Sequence, residues 1–219
     1  MYIQLNSQVL YYEKEGSGPA LILLHGNGED HTIFDKLLPH LTSHFTVYLL
    51  DSRGCGLSSP PAEYHYMDMM EDVRNLIDAL ELGRPSILGF SDGGIIALLL
   101  AIHHPALVNR LIVCGANLNP LGLTFFARRI IKAEYRKTKS PMVKMMLDEP
   151  NITLIDLARI EAKTLVIAGE KDMVKLKETR QIAASIPNAT LRIIPKADHG
   201  SYILHNDLLA GDVVDFLTE

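Results

Sequence analysis

The sequence predicts an α/β fold: a mostly parallel central sheet of about eight strands with helices packed on both faces. Three observations carry that prediction. Six short runs are predominantly apolar rather than alternating, the pattern of strands buried on both faces. The stretches between most of them show helical spacing or helix stop signals, so strand and helix alternate along the chain. A hairpin pattern precedes the series. At 219 residues, 47% of them hydrophobic, the chain suits a single domain, residues 1–219, with a large core.

The elements follow in order. Tyr2–Leu5 and Val9–Glu13 flank the turn Asn6-Ser7-Gln8, and Gly16-Ser17-Gly18-Pro19 then breaks the chain. The buried strand Ala20–Leu24 runs into His25-Gly26-Asn27-Gly28, and Val47–Leu50 runs into Asp51-Ser52-Arg53-Gly54-Cys55-Gly56-Leu57-Ser58. Met70, Val73, Ile77 and Leu80 recur at helical spacing and predict an amphipathic helix over residues 67–81, stopped by a cap at Gly83. Its Glu71, Asp72, Arg74 and Asp78 form a solvated face. Ser86–Phe90 is the next strand. The helix after Ser91 is apolar nearly all round, as expected in the middle of a layer, and ends with His103-His104 before Pro105. Leu111–Cys114, Leu165–Ala168 and Leu191–Ile194 complete the strands, while Ala183 with Ile186, and Val213-Val214-Asp215-Phe216-Leu217, mark two more helices. Residues 118 to about 158 leave the alternation: Phe125-Phe126, Ile130-Ile131, Met142-Val143 and Met145-Met146-Leu147 recur at helical spacing among charges.

Gly89-Phe90-Ser91-Asp92-Gly93 is G-x-S-x-G between an apolar strand and a helix, a nucleophile elbow that holds the serine proud of the sheet. Its partners follow in the order this architecture requires: Asp172 beyond the strand Leu165–Ala168, then His199 beyond Leu191–Ile194. In that reading His199 takes the Ser91 proton and a carboxylate fixes its tautomer. Asp172 is preferred over Asp198, because neighbours in an extended loop point apart. Backbone N–H groups of Asn27 and Asp92 are the candidate oxyanion hole, with the Asn27 side chain carrying little information.

These motifs, with Asp51–Ser58 as D-x-R-G-x-G-x-S and Gly169-Glu170-Lys171-Asp172 as G-x-x-D, resemble the α/β-hydrolase fold superfamily of small serine esterases and C–C hydrolases over essentially the whole chain. The resemblance implies a carboxylic ester hydrolase of small acyl esters acting through an acyl-serine, in the carboxylesterase class. C–C bond hydrolysis and perhydrolysis use the same triad, and a non-catalytic receptor or scaffold on the fold is the rival of another class. It implies further that residues 118 to about 158 are a short helical cap, leaving an open or shallow pocket, and that His25 packs structurally behind the oxyanion loop. A serine at this position disfavours the haloalkane dehalogenase and epoxide hydrolase branches.

Candidate substrate contacts are Asp92, Met142, Met145 and Met146. Asp92 either pairs with a cationic substrate group, as in related amino-acid ester hydrolases, or serves the helix dipole. The methionines either line an adaptable acyl pocket or fill core. Arg128, Arg129, Lys132, Arg136, Lys137, Lys139 and Lys144 outnumber Glu134, Asp148 and Glu149, which reads as a solvated helix face or as steering of anionic substrates.

With 21 basic and 26 acidic residues the net charge is −5, which argues against nucleic acid as a partner. Two cysteines, Cys55 and Cys114, supply neither a disulfide framework nor metal spacing, and the nine histidines are scattered, so no metal is expected; no organic cofactor is implied either, since the triad and oxyanion hole together would supply the chemistry. The N-terminus lacks a signal-peptide pattern and no run is long enough to span a bilayer. The expected setting is cytoplasmic, with a small-molecule ester or related acyl substrate and no membrane partner.

Overall fold

A computed structural model describes all residues, 1–219. The elements in chain order are β1 (Tyr2–Leu5), β2 (Gln8–Gly16), β3 (Ala20–Leu24), α1 (Leu38–Leu41), β4 (Thr46–Leu50), α2 (Tyr66–Ala79), β5 (Ser86–Phe90), α3 (Asp92–His103), β6 (Arg110–Cys114), α4 (Phe125–Thr138), α5 (Pro141–Asp148), α6 (Leu154–Leu157), β7 (Lys163–Gly169), α7 (Leu176–Ser185), β8 (Ala189–Ile194) and α8 (Ala210–Thr218). The eight strands form one sheet in the order β1-β2-β4-β3-β5-β6-β7-β8. Pairing is antiparallel from β1 through β2 to β4 and parallel from there on. This is the α/β-hydrolase fold expected from the sequence.

Each apolar run feeds two cores, because successive side chains of a strand point to opposite faces. Ile22, Leu24, Ile87, Leu111, Val113 and Val166 pack with α2, α3 and α7 on one face. Leu21, Leu23, Leu88, Phe90, Ile112, Cys114 and Ile167 pack with Leu41 of α1 and with Val213, Phe216 and Leu217 of α8 on the other. That is why the inner runs are apolar on both faces, while β8 at the edge of the sheet is mostly exposed or half-buried, carries Arg192 and buries only Ile194. α3 lies deepest, buried from Asp92 to Ile102, which accounts for its lack of a polar face.

Register sets the working edge of the sheet. Leu24 lies opposite Gly89, Phe90 opposite Cys114, Cys114 opposite Ile167, and Gly169 opposite Ile194. The loops that leave β3, β5, β6, β7 and β8 therefore emerge side by side, and these loops carry Asn27, Ser91, Gly115, Asp172 and His199.

Two details of α2 differ from the sequence expectation. The helix ends at Ala79 with Leu80 as its C-cap, and Glu81, not Gly83, takes the first left-handed position, with φ 52°. The N–H groups of Glu81 and Leu82 donate to the carbonyls of Asp78 and Ile77, a Schellman closure. Asp72 is buried rather than solvated: Arg53, from the loop after β4, donates Nε to Oδ2 at 2.7 Å and a terminal nitrogen to Oδ1 at 2.8 Å.

Between β6 and β7 stand α4, α5 and α6. Thr124 caps α4 by accepting from Ala127 N, Ser140 caps α5 with Pro141 in its first turn, and Thr153 with Asp156 forms a capping box on α6. Ala127 and Ile131 of α4 pack on Leu123 and Val174 in a small separate core. No helix is long and apolar enough to cross a membrane.

Candidate active site

Ser91 sits between β5 and α3 at φ 53° and ψ −114°, a conformation a side chain adopts only at a cost of about 1–3 kcal/mol. The surrounding packing enforces it. A Cβ on Gly89 would lie 2.1 Å from the Gly93 carbonyl oxygen, and one on Gly93 would lie 2.2 Å from that of Leu24, so both glycines are needed for α3 to press onto β3 and β5. The Ser91 N–H is also tied to the carbonyl of Cys114 at 2.8 Å.

The sheet edge brings three expected side chains together. Ser91 Oγ lies 3.0 Å from His199 Nε2, and His199 Nδ1 lies 2.7 Å from Asp172 Oδ1. Asp172 is buried and further fixed by Val174 N on Oδ1 at 2.9 Å and Gly169 N on Oδ2 at 3.3 Å. With Nδ1–H donating to the carboxylate, the Nε2 lone pair faces the Ser91 hydroxyl, the tautomer a general base requires. The imidazole lies against Phe90, ring centroids 5.0 Å apart, and above Gly115. Asp198 is exposed and turned away, its Oδ1 accepting from Gly200 N and Ser201 N, and those bonds hold its carboxyl below the usual range.

Asn27 and Asp92 also meet, but through their side chains. Asn27 Nδ2 donates to Asp92 Oδ2 at 2.8 Å, and the fully buried Tyr66 hydroxyl donates to Oδ1 at 2.7 Å. Burial pushes the Asp92 carboxyl up, against the opposing pull of these two donors. The Asn27 side chain is thus a structural member of the loop, contrary to the expectation that its identity carries little information. Both oxygens of Asp92 already hold protein donors, so the carboxylate faces inward, not toward a substrate cation. The network reaches the surface: Tyr66 N donates to Glu149 Oε2 at 3.1 Å, and Glu149 Oε1 pairs with His65 Nδ1 at 2.6 Å.

The three methionines separate. Met142 borders a cavity of about 10 Å³ with His25, Asn27, Cys55 and Asp92, its sulfur 3.9 Å from Cys55 Sγ. That space holds one water at most. Met145 is a buried core residue and Met146 packs on the small core beneath α4. A cavity of about 530 Å³ lies beside the far end of α3, among Leu99, Ile102, His103 and Ile152. His25 is buried behind the loop, its Nε2 accepting from Ser52 N at 2.9 Å and its Nδ1 meeting the Gly26 carbonyl at 2.7 Å; burial pushes its pKa down and keeps it neutral.

Glu29 belongs to the site and was not among the expected residues. Its Oε2 accepts from Gly26 N at 2.9 Å, and a Cβ on Gly26 would meet this oxygen at 2.7 Å and Ser91 Cβ at 3.1 Å, so the carboxylate stands close to the serine. Desolvation raises its pKa. The available signal was a glutamate three residues beyond Gly26, in reach of that N–H. Both cysteines are free and buried, and burial pushes the Cys55 thiol up to about 12. No three His, Cys, Asp or Glu side chains converge as metal ligands.

Comparison with known proteins agrees with this architecture. The family model described as alpha/beta hydrolase fold matches residues 19–138. The human protein named serine hydrolase BPHL is 27% identical, over 98% of this chain and 85% of its own length. The 2-hydroxymuconate semialdehyde hydrolase of Pseudomonas sp. (strain CF600) is 30% identical, over 93% of this chain and 88% of its own. The crystal structure of a hydrolase from Pseudomonas aeruginosa PA01 superposes with a TM-score of 0.81 at 29% identity, covering 100% of this chain and 98% of that one.

Proposed function

Since this chain belongs to the α/β-hydrolase fold family, we propose that it is a serine hydrolase of small carboxylic esters in which Ser91 is the nucleophile, His199 the general base and acid, and Asp172 the orienting carboxylate. One observation carries the reading: the unbroken line Ser91 Oγ to His199 Nε2 to Asp172 Oδ1, with hydrogen-bond distances of 3.0 and 2.7 Å and the acid fully enclosed. Ser91 Oγ adds to the ester carbonyl as His199 Nε2 takes its proton, and the enclosed Asp172 stabilises the imidazolium. The N–H groups of Asn27 and Asp92 receive the developing oxyanion, aided by the N-terminus of α3. Collapse expels the alcohol, protonated by His199, and leaves acyl-Ser91. Water deprotonated by His199 then releases the acid and restores the serine. The segment 118–158 acts as a short cap, which suits small acyl groups.

Hydrolysis of p-nitrophenyl acetate, butyrate and octanoate by the wild type and Ser91→Ala tests this. Activity is expected in the wild type, greatest on the short esters, and lost in the variant; equal rates in both would refute the role of Ser91. A second reading, C–C bond hydrolysis by the same residues, is favoured by the 30% identity to the 2-hydroxymuconate semialdehyde hydrolase. Turnover of a vinylogous 1,5-diketone, with silence on all three esters, would select it.

A further inference from the structure

We infer that the outward face of α4 docks this protein onto an anionic lipid surface. Phe126 and Ile130 stand one helical turn apart and are 72% and 52% exposed; Phe125 is 67% exposed, and Leu121, just before the helix, 65%. No other helix or strand exposes three large apolar side chains. Arg129, Lys132, Arg136 and Lys137 surround them, all exposed, and Glu134 is the only carboxylate of the helix. The one lysine or arginine of residues 118–158 in an ion pair is Lys144, with Asp148 on α5. These four exposed cations are therefore outside any ion pair, and Arg129 lies over the Phe125 ring at 5.8 Å.

The inner stripe of the helix, Ala127 and Ile131, holds it to the protein, so folding does not require the outer residues. Rings and aliphatic side chains flanked by lysine and arginine form the face of a helix that lies at a headgroup boundary, apolar groups inserted and cations against phosphate. This charge runs against the net −5 of the whole protein. A second copy seated on the same face by two-fold symmetry would set these cations against their own copies, which disfavours it. A helix that lies along a membrane needs none of the length of one that crosses it.

The root of α4 is stitched to the loop holding Asp172: Leu123 pairs with Val174, and Thr124 N donates to the Met173 carbonyl at 2.8 Å. Docking through α4 thus sets the reactive edge of the sheet near the lipid boundary. The docking itself is independent of the hydrolase reading.

Sedimentation with vesicles of phosphatidylcholine alone, or mixed with phosphatidylglycerol, tests the inference. The mixed vesicles retain the protein, pure phosphatidylcholine does not, and added salt weakens the binding. Lys132→Gln with Arg136→Gln lowers partitioning roughly 30-fold, at about five-fold per cation. Phe126→Ser with Ile130→Ser lowers it roughly 10-fold or more. Thermal unfolding of both double variants matches the wild type and excludes misfolding as the cause. Failure of the wild type to bind mixed vesicles, or binding by the variants equal to wild type, overturns the inference. So does a wild-type dimer in sedimentation velocity that Phe126→Ser with Ile130→Ser dissolves, since a second copy would then cover the face.

Discussion

Gly115→Ala separates the placement of His199 from the stability of the fold. Gly115 follows β6 at φ 63°, and a Cβ built there lies 2.8 Å from His199 Cε1 and 3.0 Å from Nδ1. Ordinary contact begins at 3.4 Å, so the imidazole must retreat by about 0.6 Å. Nothing lets it do so freely. Phe90 lies against the ring, Asp172 holds Nδ1 at 2.7 Å, and the Ser91 bond at Nε2 is already 3.0 Å. A displacement of this order at a reacting centre lowers kcat by about 100-fold with KM little changed. The left-handed backbone adds about 1–2 kcal/mol of destabilisation, equivalent to a fall in Tm of about 2–8 °C for a chain of this size. Gly83→Ala is the matched control: Gly83 has φ 66° and open space around its Cβ position, so it carries the backbone penalty without touching His199. The assay is kcat and KM on a p-nitrophenyl ester beside thermal unfolding of both variants. Equal kcat in Gly115→Ala and Gly83→Ala would refute the argument that Gly115 is a glycine for the sake of the imidazole.

Three further outcomes follow from the hydrogen bonds. Asp172→Asn lowers kcat by about 10⁴-fold, whereas Asp198→Asn changes it by only a few fold, since Asp198 holds only its own turn; esterase kinetics on the pair decide, and the reverse order would give the acid role to Asp198. Tyr66→Phe leaves Oδ1 of the buried Asp92 without its donor and destabilises the protein by about 1.5–3 kcal/mol, read from urea unfolding; an unchanged midpoint would show that the bond contributes nothing. Asp92 also has a sign in pH. Its folded pKa is raised by burial, so the native state binds this proton more tightly than the unfolded chain, and stability falls as pH climbs from the ordinary carboxylate range through the raised value. In Asp92→Asn that downward component disappears, and parallel stability curves for wild type and variant across this range would contradict it.

What the sequence discloses and what it hides divides by separation along the chain. The strand Ala20–Leu24 could be read to its ends because an apolar run between Pro19 and His25-Gly26 has no other economical burial, and Ser86–Phe90 is bounded in the same way. The meeting of Ser91, Asp172 and His199 at one edge was legible for a related reason: each stands just beyond a strand, and parallel strands deliver their following loops to one edge. The burial of Asp72 was not legible, because its partner Arg53 lies 19 residues upstream in a loop and helical periodicity reports only neighbours three or four apart. Met145 and Met142, three residues apart on α5, were likewise indistinguishable until the orientation of the helix was known: one enters the core and the other meets Cys55.

The clamp around Asp92, next to Ser91 in the chain, is another such case. Its bonds span 65 residues to Asn27 and 26 to Tyr66, and all three side chains are of types found on any surface. A motif records the groups that must stand next to each other in the chain, which here are the glycines that let Ser91 adopt its conformation. The groups that hold the two candidate oxyanion donors at a fixed spacing act across the fold, and a buried carboxylate with two neutral donors is stable only if both are present. Asn27 and Tyr66 therefore constrain each other through Asp92. Loss of either leaves a buried charge half satisfied, and the expected response is movement of the Asn27 loop, which reports on the candidate oxyanion hole rather than on the proposed triad. A fall in kcat for Tyr66→Phe with the Ser91-to-His199 bond intact would be the signature of that coupling.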